Sequence, residues 1–290
     1  MPPTPTFPPL SPYGTLTGQL FLYAPGRVAF ESPVVAPKLQ KKCILLGGLS
    51  DGLIPCPYTE LLQQACQETG WSLIQPILSS SYTGFGHGRL SRDCQELEEL
   101  MDYLHHHRRG ISEISLVGHS TGCQDIVYFL QHGRPDLVQR VTVASLQAPV
   151  SDRESDDDPA HRLEMLQIAQ NMLQSQQEDE MMPRKAFWAP ISAQRFIDLQ
   201  DRLGMDDYFS SDLTDKELRD RLGHIEKLDK LQILVACSGQ DEYVPSTLNT
   251  GEHLQRLCKA MGGQQRAVPL LLPKRFEKEF SKNINSQHQQ

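Results

Sequence analysis

The sequence lacks the long apolar run that a membrane-spanning helix needs. None of its hydrophobic stretches approaches the ~18 residues required to cross a bilayer. The N-terminal residues MPPTPTFPPLSP also lack the basic segment followed by an apolar segment that characterises a secretory signal peptide. We therefore expect a cytoplasmic protein without a membrane span.

Concentrated positive charge and paired cysteines are also missing. The chain has 28 Lys and Arg against 36 Asp and Glu, a formal net charge of -8, and no basic stripe. This balance argues against nucleic acid as a partner, because phosphate binding needs clustered basic residues. The seven cysteines form no CxxC pair, and Cys43 and Cys237 lie in apolar runs typical of core positions in a reducing compartment. We expect no metal and no organic cofactor, and we interpret the acidic run 156–158 as a solvated loop.

The pattern that is present predicts an α/β fold. The 290 residues, with 39% hydrophobic content, are sufficient to bury a full-sized core. After a predicted hairpin over 18–32, short apolar runs that suit buried strands alternate with stretches of helical spacing. The runs are KKCILL, WSLIQPIL, ISEISLVG, RVTVASLQ and LQILVACS. Such alternation requires crossover connections, so we expect a mostly parallel central sheet with helices on both faces.

The chain divides into a core, an insertion and two atypical ends. The proline-rich residues 1–13 are expected to be disordered, and 14–150 with 231–273 are predicted to form the core. Residues 151–230 are polar, rich in Gln, Met and Asp, and contain no convincing strand, which predicts a helical cap insertion. Residues 274–290 form an atypical polar tail. The oligomeric state is left open.

One short motif points to a nucleophile. Residues 118–122, Gly-His-Ser-Thr-Gly, match G-x-S-x-G and stand between a predicted buried strand and a predicted helix, the context of a nucleophile elbow. The chain must reverse sharply at Ser120, and side chains two residues to either side would collide with neighbouring backbone. The first amides of the helix also place partial positive charge near a developing alkoxide. The alternative is a serine in a tight turn that has no chemical role.

Other strand ends supply candidate partners for Ser120. An oxyanion hole would use the amide of Thr121 and a second amide, that of Leu49 or Gly48, in the glycine-rich loop GGLSDGL. The acid candidate is Asp241, in the loop that follows a late strand. A glycine-rich loop that binds no ligand, and a helix-capping role for Asp241, are the alternatives.

Five separated motifs together resemble a known family. They are LLGGLSDGL, LSSSYTGFGHGRLSRDCQELEEL, LVGHSTGCQD, LQAPVSDRES and CSGQDEYVP. They look like the α/β-hydrolase branch catalogued in fungi and plants as a domain of unknown function, over about Gly18 to Met261. The resemblance implies an α/β-hydrolase fold with Ser120 as nucleophile, Asp241 as acid and the segment SSSYTGFG lining the site. It also implies a serine hydrolase of a small-molecule acyl substrate, without identifying that substrate.

The general base departs from this family pattern. In the fold a histidine follows the last strand, but here Lys274, Arg275 and Phe276 stand there, and no histidine occurs between His253 and His288. His253 is expected to be solvated on a helix. The abrupt change of sequence indicates an alternative or truncated C-terminus that replaces the histidine loop.

Among the other histidines, His87 in GFGHGRL is the candidate substitute base, because that loop should lie near the site. His119 is expected to point into the packing beneath the elbow. Two hypotheses follow. The first is a carboxylic ester hydrolase that forms an acyl-Ser120 intermediate, and the second is a catalytically inactive hydrolase fold that binds a small ligand or a protein partner.

Overall fold

The computed structural model describes residues 14–33, 40–107, 111–154, 158–241 and 243–273. The predicted disordered N-terminus and the polar tail 274–290 lie outside these ranges, as do the first two residues of the acidic run. Within the described ranges, no helix combines the length and apolar character that crossing a membrane would require.

Eight strands form one sheet in the order β1-β2-β4-β3-β5-β6-β7-β8. The predicted hairpin is confirmed, because β1 pairs with β2 antiparallel, and β2 pairs with β4 antiparallel. The remaining pairs of neighbouring strands in the described sheet are parallel. The strands are β1 (Gln19–Ala24), β2 (Arg27–Glu31), β3 (Gln40–Leu46), β4 (Trp71–Pro76), β5 (Ile111–His119), β6 (Val141–Gln147), β7 (Gln232–Ser238) and β8 (Ala267–Leu272).

Helices connect these strands and cover the sheet. They are α1 (Thr59–Glu68), α2 (Leu90–His107), α3 (Gly122–His132), α4 (Pro135–Val138), α5 (Pro159–Gln174), α6 (Ala193–Gln200), α7 (Asp215–Leu222) and α8 (Thr250–Ala260). Three 3-10 turns span Tyr82–His87, Gly223–Lys227 and Gly263–Gln265. The helices predicted between the early strands are thus present.

Apolar packing occurs on both faces of the sheet. Alternate residues of a strand point to opposite faces, and β3 shows this directly. Its Ile44 and Leu46 belong to the large cluster that includes α2, α3 and α8, whereas Cys43 and Leu45 pack in a smaller cluster with Cys66 of α1. The predicted parallel sheet covered on both faces is therefore confirmed.

The stretch predicted as a cap insertion has two parts with different packing. Helices α5 and α6 form their own apolar cluster, to which Met165 and Phe196 belong and against which Leu49 packs. By contrast, Phe209 and Leu218 belong to the main core cluster. In the described part of this stretch, β-structure is limited to one isolated antiparallel bridge between Met181 and Ser192. Judged by packing, α5 and α6 form a separate cap, whereas the later part of the predicted insertion belongs to the core.

Candidate active site

Ser120 occupies a strained turn between β5 and α3. Its φ is +52°, in the left-handed region that non-glycine residues rarely adopt. The Ser120 N–H donates to the Gln147 carbonyl (3.0 Å), and the Ser120 carbonyl accepts from the Cys123 N–H (2.8 Å). The predicted sharp reversal at the carboxyl end of a central parallel strand is confirmed. Ser120 is partly exposed at this point, where β5 ends.

Both glycines of the motif are required by close backbone contacts. A Cβ on Gly118 would lie 2.5 Å from the Gly122 carbonyl oxygen. One on Gly122 would lie 2.4 Å from the carbonyl oxygen of Leu46 and 2.7 Å from that of Gly47. These atoms belong to the backbone of α3, of the end of β3 and of the loop that follows β3. The elbow is therefore packed directly against the loop that follows β3.

That loop brings candidate oxyanion donors beside Ser120. A Cβ added to Gly48 would lie 2.9 Å from the Ser120 Cβ, so the two residues are in contact. The Gly48 N–H already donates to Asp51 Oδ2 (2.7 Å). The amides of Leu49 and Thr121 have no hydrogen-bond acceptor among the described residues. The geometry therefore favours Leu49 over Gly48 as the partner of Thr121.

Asp241 lies in the loop after β7, at the same carboxyl-terminal end of the parallel strands as Ser120. Strands β5, β6 and β7 are parallel neighbours, so the loops at their carboxyl ends emerge together. Asp241 Oδ1 accepts from the Tyr243 N–H (3.0 Å), and Oδ2 is 3.9 Å from Cys237 Sγ. The N-cap of α8 is Asn249, so the helix-cap alternative for Asp241 is wrong. Asp241 therefore lies in the loop after a late strand, and its closeness to Ser120 and its catalytic role stay predictions.

The histidine side chains of the described chain do not line the cleft near Ser120. His87 is exposed on the 3-10 turn, and the Nδ1 atom of His119 contacts the Gln147 side chain. His253 was expected to be solvated, and this expectation is wrong. It is buried, and its Nε2 donates to the Phe209 carbonyl (2.8 Å), because the chain before α7 packs over α8. Burial lowers the pKa of His253 and favours the neutral ring.

A cleft that is open in part to solvent adjoins the elbow. Its wall includes Gly48, Leu49 and Thr121 on one side and Ser80, Ser81 and Phe85 on another. The segment SSSYTGFG therefore contributes to the wall, as the resemblance implies. The wall also includes the polar residues Asp93, Asp125, Arg195 and Asp206. Sequence reasoning missed these four residues.

These four residues belong to a larger cluster of carboxylates around the guanidinium of Arg195, in which Asp93, Asp206 and Arg195 are buried and Asp125 and Asp152 are half-buried. Both Oδ atoms of Asp206 accept from Arg195 Nη1 (2.8 Å each). Burial raises the pKa of Asp93 to about 6 and that of Asp152 to about 7. Burial and the carboxylates of Asp93 and Asp206 also raise the pKa of Asp125. The cluster therefore resists full ionisation at neutral pH.

An Asp152→Asn substitution should stabilise the protein at alkaline pH. The pKa of Asp152 is raised from 3.8 to about 7, so its contribution to stability is complete below pH 3.8 and is lost as the pH rises through 7. Asparagine does not ionise and can still accept the Gln124 Nε2 hydrogen bond (2.7 Å). We expect a gain of about 2–4 kcal/mol in unfolding free energy at pH 8, shrinking towards zero near pH 4. Urea titrations at several pH values measure the difference in unfolding free energy between the variant and the unmodified protein. A difference that does not vary with pH would contradict this prediction.

The sheet order and the strained serine after β5 together define an α/β-hydrolase fold. The chain belongs to the family described as "Protein of unknown function (DUF1749)", which matches residues 8–268. The fold class and the family resemblance derived from sequence are both confirmed.

Known relatives agree with this assignment. The chain is 30% identical over 294 residues to the fusarinine C esterase sidJ of Aspergillus fumigatus, covering 84% of this chain and 83% of that protein. The structure of the siderophore hydrolase EstB from Aspergillus fumigatus is 33% identical, with a TM-score of 0.68, covering 86% of this chain and 84% of that one. An α/β-hydrolase fold protein of unknown function is similar in fold alone, at 16% identity and a TM-score of 0.63, covering 89% and 87%.

Proposed function

We propose that this chain is a serine hydrolase that cleaves carboxylic esters of small molecules through an acyl-Ser120 intermediate. The observation that carries the proposal is the strained Ser120 at a nucleophile elbow, beside amides of Thr121 and Leu49 that have no acceptor in the described chain. Two relatives are named as an esterase and a siderophore hydrolase. Their names support esters as the substrate class and make siderophore esters the first compounds to examine.

The reaction proceeds in two acyl transfers. Ser120 Oγ attacks the ester carbonyl carbon while its proton passes to a base, and the carbonyl oxygen becomes an oxyanion held by the two amides. Thr121 stands at the N-terminus of α3, whose dipole favours that negative charge. The bond to the alcohol oxygen then breaks, and the alcohol takes the proton. Water attacks the acyl-Ser120 ester in the same way and releases the carboxylic acid.

In this proposal Asp241 orients an imidazole that takes the proton. Its loop follows β7, the neighbour of β8, and in this fold the histidine that the acid orients follows the last strand. His87 is the weaker candidate for the base, because its side chain is exposed and does not line the cleft. The base is therefore left unassigned in the described chain.

A second function is favoured by one observation. The part of the cleft wall that the structure describes contains no histidine. An α/β-hydrolase without a base would keep the fold and the cleft and would bind a small ligand or a protein partner instead of turning over an ester. The two functions differ in whether Ser120 reacts.

A fluorophosphonate probe should label Ser120 specifically. The probe phosphonylates a serine that the folded site activates, and fluoride leaves from phosphorus. We expect one adduct on Ser120, formed slowly because the described cleft wall contains no histidine. Intact-protein and peptide mass spectrometry measure the adduct. It should disappear in Ser120→Ala and persist in Ser175→Ala, which changes an exposed serine at the end of α5. A labelling rate no higher than that of the chain unfolded in guanidinium would support the binding protein instead.

A further inference from the structure

Apolar side chains are exposed on one face of the sheet where β6, β7 and β8 lie side by side. They are Val143, Leu234, Val268 and Leu270, and each is between 36% and 48% exposed. In the register of the sheet, Leu234 lies beside both Val268 and Ser145. Val143 and Leu270 are each two residues along their strands from these positions, so all four side chains point the same way. We call these four residues the β6–β8 apolar face.

The opposite face of the same three strands is packed. Leu146 of β6 and Val235 of β7 belong to the main core cluster together with Leu254 of α8. On the exposed side, α1 covers β3 and β4, in a cluster against which Val117 of β5 packs. Val117 is the neighbour of Ser145 of β6, so in the described part of the chain this cover ends near β5. Parallel strands are almost always covered on both faces, and the β6–β8 apolar face therefore calls for a further element.

The polar tail 274–290 has a pattern that suits such a surface. Its sequence is KRFEKEFSKNINSQHQQ, and its apolar side chains are Phe276, Phe280 and Ile284. They recur at every fourth residue, and every residue between them is polar or charged. In a helix this spacing places the three side chains on one stripe and the charged side chains on the remaining surface. A helix of this kind is stable when its apolar stripe packs against another apolar surface.

The dimensions of the stripe and of the strand agree. Four residues of a helix advance about 6 Å, and two residues of a strand advance about 6.6 Å. A helix that turned back after Pro273 and ran antiparallel to β8 would therefore bring Phe276 near Leu270. Phe280 would then lie near Val268. The 17 residues of the tail would extend about 25 Å as a helix, which exceeds the roughly 20 Å of the six-residue strand β8.

We propose that residues 274–290 form an amphipathic helix that packs on the β6–β8 apolar face through Phe276, Phe280 and Ile284. The competing occupant is a second copy of this chain. The tail is favoured because it is joined to β8 beside the face, and such a short connection gives it an effective concentration of about millimolar. This packing would also fix the residues just after β8 at the carboxyl-terminal end of the parallel strands, where Ser120 lies.

Maleimide labelling of a cysteine on this face tests the proposal in the full chain. The reporter is Val268→Cys, because the seven native cysteines are buried. The open reference is Lys216→Cys, at a side chain 84% exposed. We expect the reporter thiol to react at least tenfold more slowly than the reference. Adding Phe280→Asp should raise its rate at least tenfold, because a carboxylate on the stripe cannot pack against apolar side chains. The matched control Lys278→Asp, on the opposite side of the helix, should leave the rate unchanged.

Three results would overturn the proposal. A reporter that reacts as fast as the reference would show an open face, and a slow rate that Phe280→Asp does not change would show a different cover. Slow labelling that accelerates on dilution, together with a dimer mass by light scattering, would assign the face to a second copy. Circular dichroism checks that each variant is folded, and Leu270→Cys replaces the reporter if Val268→Cys is not. These outcomes do not depend on the reactivity of Ser120, so the proposed hydrolase activity is tested separately.

Discussion

A histidine introduced just after β8 is expected to raise kcat/KM for p-nitrophenyl acetate by about 10²–10⁴-fold, the contribution of one positioned general base. Without a base the Ser120 hydroxyl keeps its high pKa, and the oxyanion hole stabilises an attack that rarely begins. The variants are Lys274→His, Arg275→His and Phe276→His, measured by release of p-nitrophenol and, in parallel, by cleavage of fusarinine C. The unmodified protein is expected to turn these esters over very slowly.

Controls separate a working triad from an incidental imidazole. The gain should vanish when Ser120→Ala or Asp241→Asn is added to the active variant, because the carboxylate must orient the ring. The variant Lys216→His, at a side chain 84% exposed on α7, should show no gain in kcat/KM. The contrary outcome is turnover of about 1–10³ s⁻¹ by the unmodified chain, abolished by His87→Ala. His87 would then be the base.

Local sequence signals were sufficient to predict the sheet and the elbow. Each central strand is a short apolar run, and burial on both faces makes such runs recognisable without knowledge of their neighbours. The same holds for Ser120, because the strand, the two glycines and the helix that produce its positive φ are contiguous in the chain. The oxyanion loop was located by the same logic. The hydrogen bond from the Gly48 N–H to Asp51 Oδ2 could not be predicted, because it depends on the conformation of the loop.

The residues that sequence reasoning missed come together only in three dimensions. Asp93, Asp125, Arg195 and Asp206 belong to three helices and a loop, and no short pattern relates them. From the sequence alone, Asp125 could be identified only as a polar residue in the helix after the elbow. His253 was misjudged for a related reason, because its burial depends on Phe209, which is 44 residues away in the chain. Contacts between an insertion and the core carry no periodic signal in either segment.

Gly122→Ala is expected to destabilise the fold by about 2–4 kcal/mol and to slow labelling of Ser120 by on the order of 10²-fold. The new Cβ would stand 2.4 Å from the Leu46 carbonyl oxygen and 2.7 Å from that of Gly47. The end of β3 must shift to remove this steric overlap, and that shift moves the Leu49 amide away from Ser120. Urea unfolding and the rate of fluorophosphonate labelling measure the two effects.

Gly251→Ala is the matched control, since Gly251 also lies in the first turn of a helix, α8. The nearest atoms to its added Cβ are 3.6 Å away, which is ordinary contact. Alanine costs less conformational entropy than glycine in a helix, so we expect no loss of stability and a gain of up to about 0.5–1 kcal/mol. If Gly122→Ala proved as well tolerated as Gly251→Ala, the elbow would not be packed against β3 as described. The proximity of Ser120 to the oxyanion loop, on which the proposed chemistry depends, would then be wrong.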